Sequence, residues 1–205
     1  MTASLRLPSR ACHVRWPARR CRCVEGSLVT PFLQAAVAEM LPNAGASPSC
    51  AECEFSWLTT GDAALAQVRA GPARFADLLE GPHATVVPAP QVWSPSAYVW
   101  HVSDLVRAWA ERLHSLGIDP DAPWAGFDPD ELARARHYDA LPPSTGPWSL
   151  ARSVDALAQS LEPLGTDTPF EHPEWGSGTV ADALRWLAHE TVHHELDVRR
   201  GLNPL

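Results

Sequence analysis

The sequence contains no lysine, so all 16 of its basic residues are arginines. Aspartate and glutamate together number 24, and the formal net charge at pH 7 is −8. A nucleic-acid-binding protein usually carries a patch of excess positive charge, whereas this chain carries an excess of negative charge. The composition therefore gives no reason to expect a nucleic-acid partner.

A long apolar run is also missing. No stretch of the sequence approaches the roughly 20 apolar residues that a membrane-spanning helix needs, and we expect no membrane partner. The apolar stretch that comes nearest to a secretory signal, residues 28–38, begins late and is interrupted by Pro31 and Gln34. We therefore expect the protein to stay in the cytoplasm.

Cysteine is scarce, and its residues are unevenly distributed. The sequence has Cys12, Cys21, Cys23, Cys50 and Cys53, all within its first 53 residues. An odd number of cysteines confined to one end does not form a disulfide framework, and a reducing compartment is the default expectation.

One pair of cysteines has the spacing of a metal-binding motif. Cys50-Ala51-Glu52-Cys53 is a C-x-x-C sequence, which supplies half of a four-ligand zinc site. No second C-x-x-C follows to complete the site. A redox pair and simple packing of a terminal segment are alternatives that the sequence leaves open.

The first 49 residues differ in composition from the rest of the chain. They are rich in arginine and poor in acidic residues, with scattered proline and most of the cysteines. We expect residues 1–49 to form an N-terminal arm that is partly disordered. A length of 205 residues suits one domain plus such a segment, and we assign the domain to residues 50–205.

Four segments of this domain show the spacing of apolar residues that is typical of amphipathic helices. They are residues 60–79, 96–116, 149–164 and 179–201. Ser94 and Pro95 form a good N-terminal cap and first turn for the second helix. In contrast, Gly71-Pro72 should break or kink the first helix.

A long connection, residues 119–147, separates the second and third helices, and only a short helix at 129–136 is predicted within it. No segment alternates convincingly enough to predict a strand, and the sequence has neither an internal repeat nor a glycine-rich phosphate loop. The domain is therefore predicted to be all-α, a four-helix bundle with a long crossover loop between helices 2 and 3.

The last predicted helix carries the candidate functional residues. One face forms an apolar stripe that consists of Val180, Ala183, Leu184, Leu187, Thr191 and Val198. His189 and His193 lie on a different face, about 40° apart, so both imidazoles can reach one divalent metal at roughly 2.0–2.1 Å. A pair of surface or interface histidines is the alternative. For His194, which falls near the apolar stripe, we expect a hydrogen-bonded core or interface histidine rather than a ligand.

The same helix contains the zinc-peptidase motif H-E-x-x-H, formed by His189, Glu190 and His193. In those enzymes the glutamate is the general base. No glycine and histidine follow at the spacing of the metzincin family. A zinc hydrolase is therefore an alternative rather than the main prediction.

Several short motifs occur in a fixed order along the domain. They are Trp93-Ser94-Pro95, His101-Val102-Ser103-Asp104, Tyr138 in a loop rich in proline and aspartate, Gly178-Thr179-Val180 and His189-x-x-x-His193. In this order and spacing they resemble the DinB-like superfamily of four-helix metal-binding proteins, roughly across residues 50–201. The C-x-E-C motif at Cys50 is similar to that of one branch of the superfamily.

The resemblance implies a metal held by three histidines, which in this chain are His101, His189 and His193. The implied metal is divalent, zinc in the first place and nickel in the second, with a vacant position for water or a substrate atom. Asp104 and Glu190 are then the candidates for partners that orient the ligand histidines, unless they are ordinary solvated residues of their helices.

Related proteins include mycothiol-dependent maleylpyruvate isomerase and S-transferases that use mycothiol, bacillithiol or glutathione. The resemblance thus implies a small-molecule thiol and an electrophilic substrate as partners, with the substrate entering beneath the loop 119–147. It implies neither a catalytic residue nor a specific substrate. A non-catalytic metal-binding stress or sensor bundle is the alternative, and a homodimer is a further expectation.

Overall fold

The computed structural model describes residues 48–90, 92–173 and 176–203. The elements are, in chain order, helix α1 (Gly61–Leu78), helix α2 (Pro95–Ile118), helix α3 (Pro129–Arg136), a 3-10 turn (Tyr138–Ala140), helix α4 (Thr145–Ser160), strand β1 (Pro169–His172), strand β2 (Gly176–Thr179) and helix α5 (Val180–Leu202). The predicted arm, residues 1–49, lies outside the described residues except for its last two.

The four longer helices form a bundle. α2 packs against α4 and α5, and α1 packs against the same two helices. The connection between α2 and α4, which contains α3, is the predicted long crossover. The predicted fold class, an all-α four-helix bundle, is confirmed. Among the described residues, no helix is both long and apolar enough to cross a membrane.

The helix starts follow the sequence signals closely. Ser94 caps α2 by accepting a hydrogen bond from the backbone N–H of Ala97, and Pro95 is the first residue of that helix. α5 starts with a capping box, in which Thr179 and Asp182 each accept a hydrogen bond from the other's backbone N–H. These bonds satisfy N–H groups that have no partner inside the helix. The predicted apolar stripe of α5 is buried.

The expected break at Gly71-Pro72 is wrong, because α1 continues through both residues. A Cβ atom on Gly71 would lie 2.9 Å from Cγ2 of Thr191, so the glycine allows a close approach between α1 and α5. Pro72 cannot donate one intrahelical hydrogen bond, and the tertiary packing of α1 compensates for that loss. α4 also begins earlier than predicted, at Thr145 instead of residue 149.

Two short strands, which are absent from the sequence-based prediction, precede α5. β1 and β2 pair as an antiparallel hairpin. Each strand has four residues, and of these only Phe170 and His172 are buried, which is too short an alternation to detect in the sequence. The Phe170 and His172 rings pack against Trp109 of α2, at centroid distances of 5.6 and 5.8 Å. The hairpin therefore ties the start of α5 to α2.

The contact between Gly71 and Thr191 is tested by replacing the glycine. In Gly71→Val, the added side chain must displace the Thr191 methyl group, and the Thr191 hydroxyl is held by the Leu187 carbonyl. We expect the free energy of unfolding to fall by about 2 kcal/mol, a typical cost of overpacking a core. The matched control is Gly81→Val, since a Cβ atom there meets nothing within 4 Å. Equal stability of the two variants in urea denaturation would contradict the close packing.

Candidate metal centres

Four potential metal ligands lie close together on α5. His189 and His193 form one pair at i and i+4, and Glu190 and His194 form a second pair with the same spacing. At about 100° per residue, the second pair is rotated by about 100° from the first. The two pairs therefore face different neighbours: the first faces the segment before α1, and the second faces α2.

The first pair meets two cysteines. The donor atoms of Cys50, Cys53, His189 and His193, here called the cysteine–histidine group, all lie within 4.8 Å of one another. The Cys50 sulfur is 3.7 Å from Nδ1 of His193. The backbone N–H of Glu54 donates to the Cys50 carbonyl at 3.0 Å and closes a tight turn around the C-x-x-C motif. This turn brings both sulfur atoms to the same face of α5.

The thiols and imidazoles of the cysteine–histidine group stabilise each other's charged forms. Burial opposes protonation of His189, but its interactions with the cysteines and the Glu190 carboxylate outweigh burial and raise the pKa of His189 to about 10. Interactions with the cysteines also raise the pKa of His193 to about 9, so a metal would displace protons from both imidazoles. Burial opposes ionisation of the Cys53 thiol, but the imidazoles of His189 and His193 outweigh burial and lower the pKa of Cys53 to about 6. The thiolate is the form that binds metals. Both ring nitrogens of His189 are buried and have no hydrogen-bond partner among the described residues. The group therefore offers sulfur and nitrogen ligands that fit a thiophilic cation such as zinc.

The second pair meets a histidine of α2. His101, Glu190 and His194, here called the histidine–glutamate group, bring three donor atoms within 4.8 Å of one another. Oε2 of Glu190 is 3.9 Å from Nε2 of His101 and 3.3 Å from Nε2 of His194. Oε1 of the same carboxylate is 3.4 Å from Nδ1 of His189. Glu190 therefore belongs to the histidine–glutamate group and also contacts a histidine of the cysteine–histidine group.

Two members of the histidine–glutamate group, His101 and Glu190, have the protonation states that a cation needs. Burial lowers the pKa of His101, which keeps this imidazole neutral. Burial opposes ionisation of Glu190, but the three surrounding histidines outweigh burial and hold the pKa of its carboxyl well below the usual value. Nδ1 of His101 is buried without a hydrogen-bond partner in the described part of the chain. Burial opposes protonation of His194, but its hydrogen bonds to Asp197 and Glu190 outweigh burial and raise the pKa of this imidazole. A divalent metal bound here would therefore displace a proton from His194, while His101 and Glu190 already have the form that binds a metal.

Neighbouring side chains fix the orientation of these ligands. Nδ1 of His194 is 2.9 Å from Oδ2 of Asp197, in a hydrogen bond that leaves Nε2 on the side of Glu190. The Tyr98 ring stacks on His194 at a centroid distance of 5.2 Å. A carboxylate on the outer nitrogen of a ligand histidine fixes its tautomer and raises its basicity. Asp197, which no sequence motif singles out, is thus an orienting partner.

Asp104, the expected partner of a ligand histidine, makes different contacts. Its buried carboxylate accepts hydrogen bonds from the Tyr138 hydroxyl at 2.6 Å, from Arg107 at 3.0 Å and from Arg136. These bonds join α2 to α3 and to the 3-10 turn, so Asp104 holds the crossover onto the bundle. Glu190, the other expected orienting residue, lies in the histidine–glutamate group itself.

The structure divides the predicted ligands between the two groups. His189 and His193 lie together, with the two cysteines, whereas His101 lies with Glu190 and His194. The set of His101, His189 and His193 around one metal stays a prediction. The sequence predicts His194 to be a hydrogen-bonded core or interface histidine, and it makes such a bond to Asp197. Its place beside His101 and Glu190 is not part of that prediction. The signal that could reveal it is its i, i+4 spacing from Glu190, the same spacing that marks the other pair.

The bond between Asp197 and His194 gives a test of the histidine–glutamate group. Asp197→Asn keeps the size of the side chain but removes its charge, so we expect about a 10- to 100-fold loss of zinc affinity at this group. Zinc affinity is measured by competition with a chromophoric chelator. The zinc bound at the histidine–glutamate group is identified as the ion that is lost in His101→Ala. Asp155→Asn, at an exposed position of α4, is the control. Unchanged affinity in Asp197→Asn would contradict the orienting role.

Comparisons with known proteins agree with this architecture. Among solved structures, the chain is similar to YfiT from Bacillus subtilis, described as a probable metal-dependent hydrolase with an unusual four-helix bundle topology. The TM-score is 0.59 at 15% sequence identity, and the match covers 81% of this chain and 97% of the other. A search of curated protein sequences found no significant match. The family model described as the DinB superfamily matches residues 64–197, which is more than half of the sequence, and the chain therefore belongs to the DinB superfamily.

Proposed function

We propose that this protein is a metal-dependent S-transferase that joins a low-molecular-weight thiol to a small electrophile. The observation that supports this proposal is the histidine–glutamate group, whose three donors leave coordination positions for other molecules. A divalent metal held there would lower the pKa of a coordinating thiol and favour its nucleophilic thiolate. Zinc is the first candidate for the metal and nickel the second.

The charge of the ligand set suits an anionic partner. As metal ligands, His101 and His194 are uncharged and Glu190 carries one negative charge. A divalent cation therefore keeps net positive charge at the site, which would attract a thiolate or a carboxylate of an incoming molecule. Asp197 holds the ligand His194 in place through its hydrogen bond, although the negative charge of Asp197 reduces the net positive charge at the site.

Aromatic side chains would contact the apolar part of a substrate. Trp93 packs against His101 at a ring-centroid distance of 5.1 Å, and Tyr98 stacks on His194. Tyr138 lies 6.3 Å from Trp93 between ring centroids. Because Tyr138 belongs to the crossover between α2 and α4, this segment reaches the surroundings of the histidine–glutamate group. That proximity supports a role of the crossover in covering a bound substrate.

Metal-dependent hydrolysis is the second candidate function. Two histidines and a glutamate form the ligand set of several zinc hydrolases, and YfiT, which has the same fold, is described as a probable metal-dependent hydrolase. The peptidase arrangement of H-E-x-x-H has less support, because the Glu190 carboxylate faces His101 and His194 instead of standing free as a general base. The two candidates differ in one requirement, since only the transferase needs a thiol.

Thiol-dependent turnover is the expected result of a direct assay. Zinc- or nickel-loaded protein is incubated with a chromogenic electrophile, with and without mycothiol, bacillithiol or glutathione. We expect His101→Ala to lower kcat/KM by about 100-fold or more, because a ligand of the reactive metal is lost. His83→Ala, which replaces an exposed histidine, is the control and should keep the activity.

Two results would contradict the transferase. Turnover of ester or amide substrates without any thiol would favour the hydrolase instead. Full metal loading combined with neither thiol binding in calorimetry nor turnover would identify a non-catalytic metal-binding bundle.

A further inference from the structure

The cysteine–histidine group has no part in the function proposed above. Its donors come from distant parts of the domain, the turn before α1 and one face of α5. We propose that Cys50, Cys53, His189 and His193 bind a structural zinc ion, separate from the metal of the histidine–glutamate group. This second zinc site does not depend on whether the protein has the catalytic activity proposed above.

The number and type of donors favour zinc in a structural role. Two thiolates and two imidazoles form one of the closed tetrahedral ligand sets of structural zinc sites, whereas catalytic sites keep an open position. Thiolate ligands also select against magnesium, calcium and manganese. The adjacent histidine–glutamate group has only three donors. The two groups therefore differ in the way that structural and catalytic zinc sites differ.

The four donors are held in place by the fold itself. Cys50 is 4% exposed and His189 is 5% exposed, whereas Cys53 and His193 are half-buried, so the group is closed to solvent on one side. The Cys50 backbone N–H donates to the Phe55 carbonyl at 2.9 Å, and the Glu54 N–H donates to the Cys50 carbonyl. Since these bonds shape the cysteine turn from the backbone alone, a cation would meet a preformed site.

The burial of His189 is an independent observation that points to a ligand. Both of its ring nitrogens are buried without a hydrogen bond among the described residues, and only Nδ1 has an ion-pair partner, the Glu190 carboxylate. Buried polar atoms in native proteins nearly always have a partner, because losing water without replacement is costly. A zinc ion on one nitrogen would leave the other, Nδ1, beside the Glu190 carboxylate at 3.4 Å. A carboxylate behind a ligand histidine is the usual arrangement in zinc sites.

A redox disulfide is the competing interpretation of the two cysteines. Cys50 and Cys53 are free thiols in the structure. A disulfide would involve only these two residues, and His189 and His193 would contribute to it only by favouring the Cys53 thiolate. It would also leave the buried Nε2 of His189 without a hydrogen-bond partner among the described residues. The arrangement of the histidines therefore favours the metal.

The proposed zinc would fasten residues 48–57 to α5. Phe55 and Trp57 in this segment pack against the His189 ring, at centroid distances of 5.8 and 4.7 Å. Removal of the metal should therefore loosen the whole segment from the bundle, and hydrogen exchange in residues 48–57 should accelerate. Because Glu190 follows His189 directly, the same zinc would also hold α5 in place beside the histidine–glutamate group.

Cobalt(II) substitution tests this site, because thiolate ligands give cobalt a charge-transfer absorption in the near ultraviolet that histidine and glutamate ligands do not give. We expect the wild-type protein to bind about two cobalt ions per chain, one of them with the thiolate band. Cys53→Ser should weaken the band, and the double variant Cys50→Ser/Cys53→Ser should abolish it and release about one ion per chain. His101→Ala should release the other ion and keep the band.

Cys23→Ser, which removes a cysteine outside the described residues, is the matched control and should keep both ions. The wild-type spectrum decides the question even if Cys53→Ser does not fold. Reduced wild-type protein that binds cobalt without a thiolate band would overturn the proposal. A Cys50–Cys53 disulfide in freshly purified, zinc-free protein would also overturn it in favour of a redox pair. A retained thiolate band without thiol-dependent turnover would support the structural zinc and contradict only the S-transferase.

Discussion

The helical period of α5 is the constraint on which both candidate sites depend. Two ligand pairs with the same i, i+4 spacing, displaced by one residue, point in directions about 100° apart. His189 and His193 can therefore face the cysteine turn while Glu190 and His194 face His101 on α2. A small rotation of α5 about its axis would separate the donors of both groups at once. The two sites are thus coupled through the position of one helix.

Contacts without any ligand chemistry set that position. The capping box of Thr179 and Asp182 fixes the first turn of α5, and the hairpin before it packs on Trp109 of α2. Further along, Gly71 lets α1 approach Thr191, which follows Glu190 directly in the chain. The close contact therefore fixes the rotation of α5 at the level of the ligands. The buried apolar stripe supplies the free energy that holds the helix in the bundle.

Local signals made most of the fold predictable from the sequence, including the caps at Ser94 and Thr179 and the apolar stripe of α5. Both halves of the cysteine–histidine group are also visible there, as C-x-x-C and as the i, i+4 histidines. The sequence does not show that these two halves come together in space, because that depends on packing between residues such as Cys50 and His193, which are 143 positions apart. Likewise, His101 comes close to Glu190 and His194 only because of the faces that α2 and α5 turn toward each other. Tertiary packing also explains the unbroken α1, in which it outweighs the local preference of Pro72.

Anomalous diffraction at the absorption edges of zinc and nickel, from crystals of protein purified without a metal-affinity tag, is the most direct test of two separate sites on α5. We expect two metal peaks on opposite sides of the Glu190 carboxylate. One peak should lie among the two cysteines, His189 and His193, and the other between His101 and His194. A single peak coordinated jointly by His101, His189 and His193 would contradict the division into two sites.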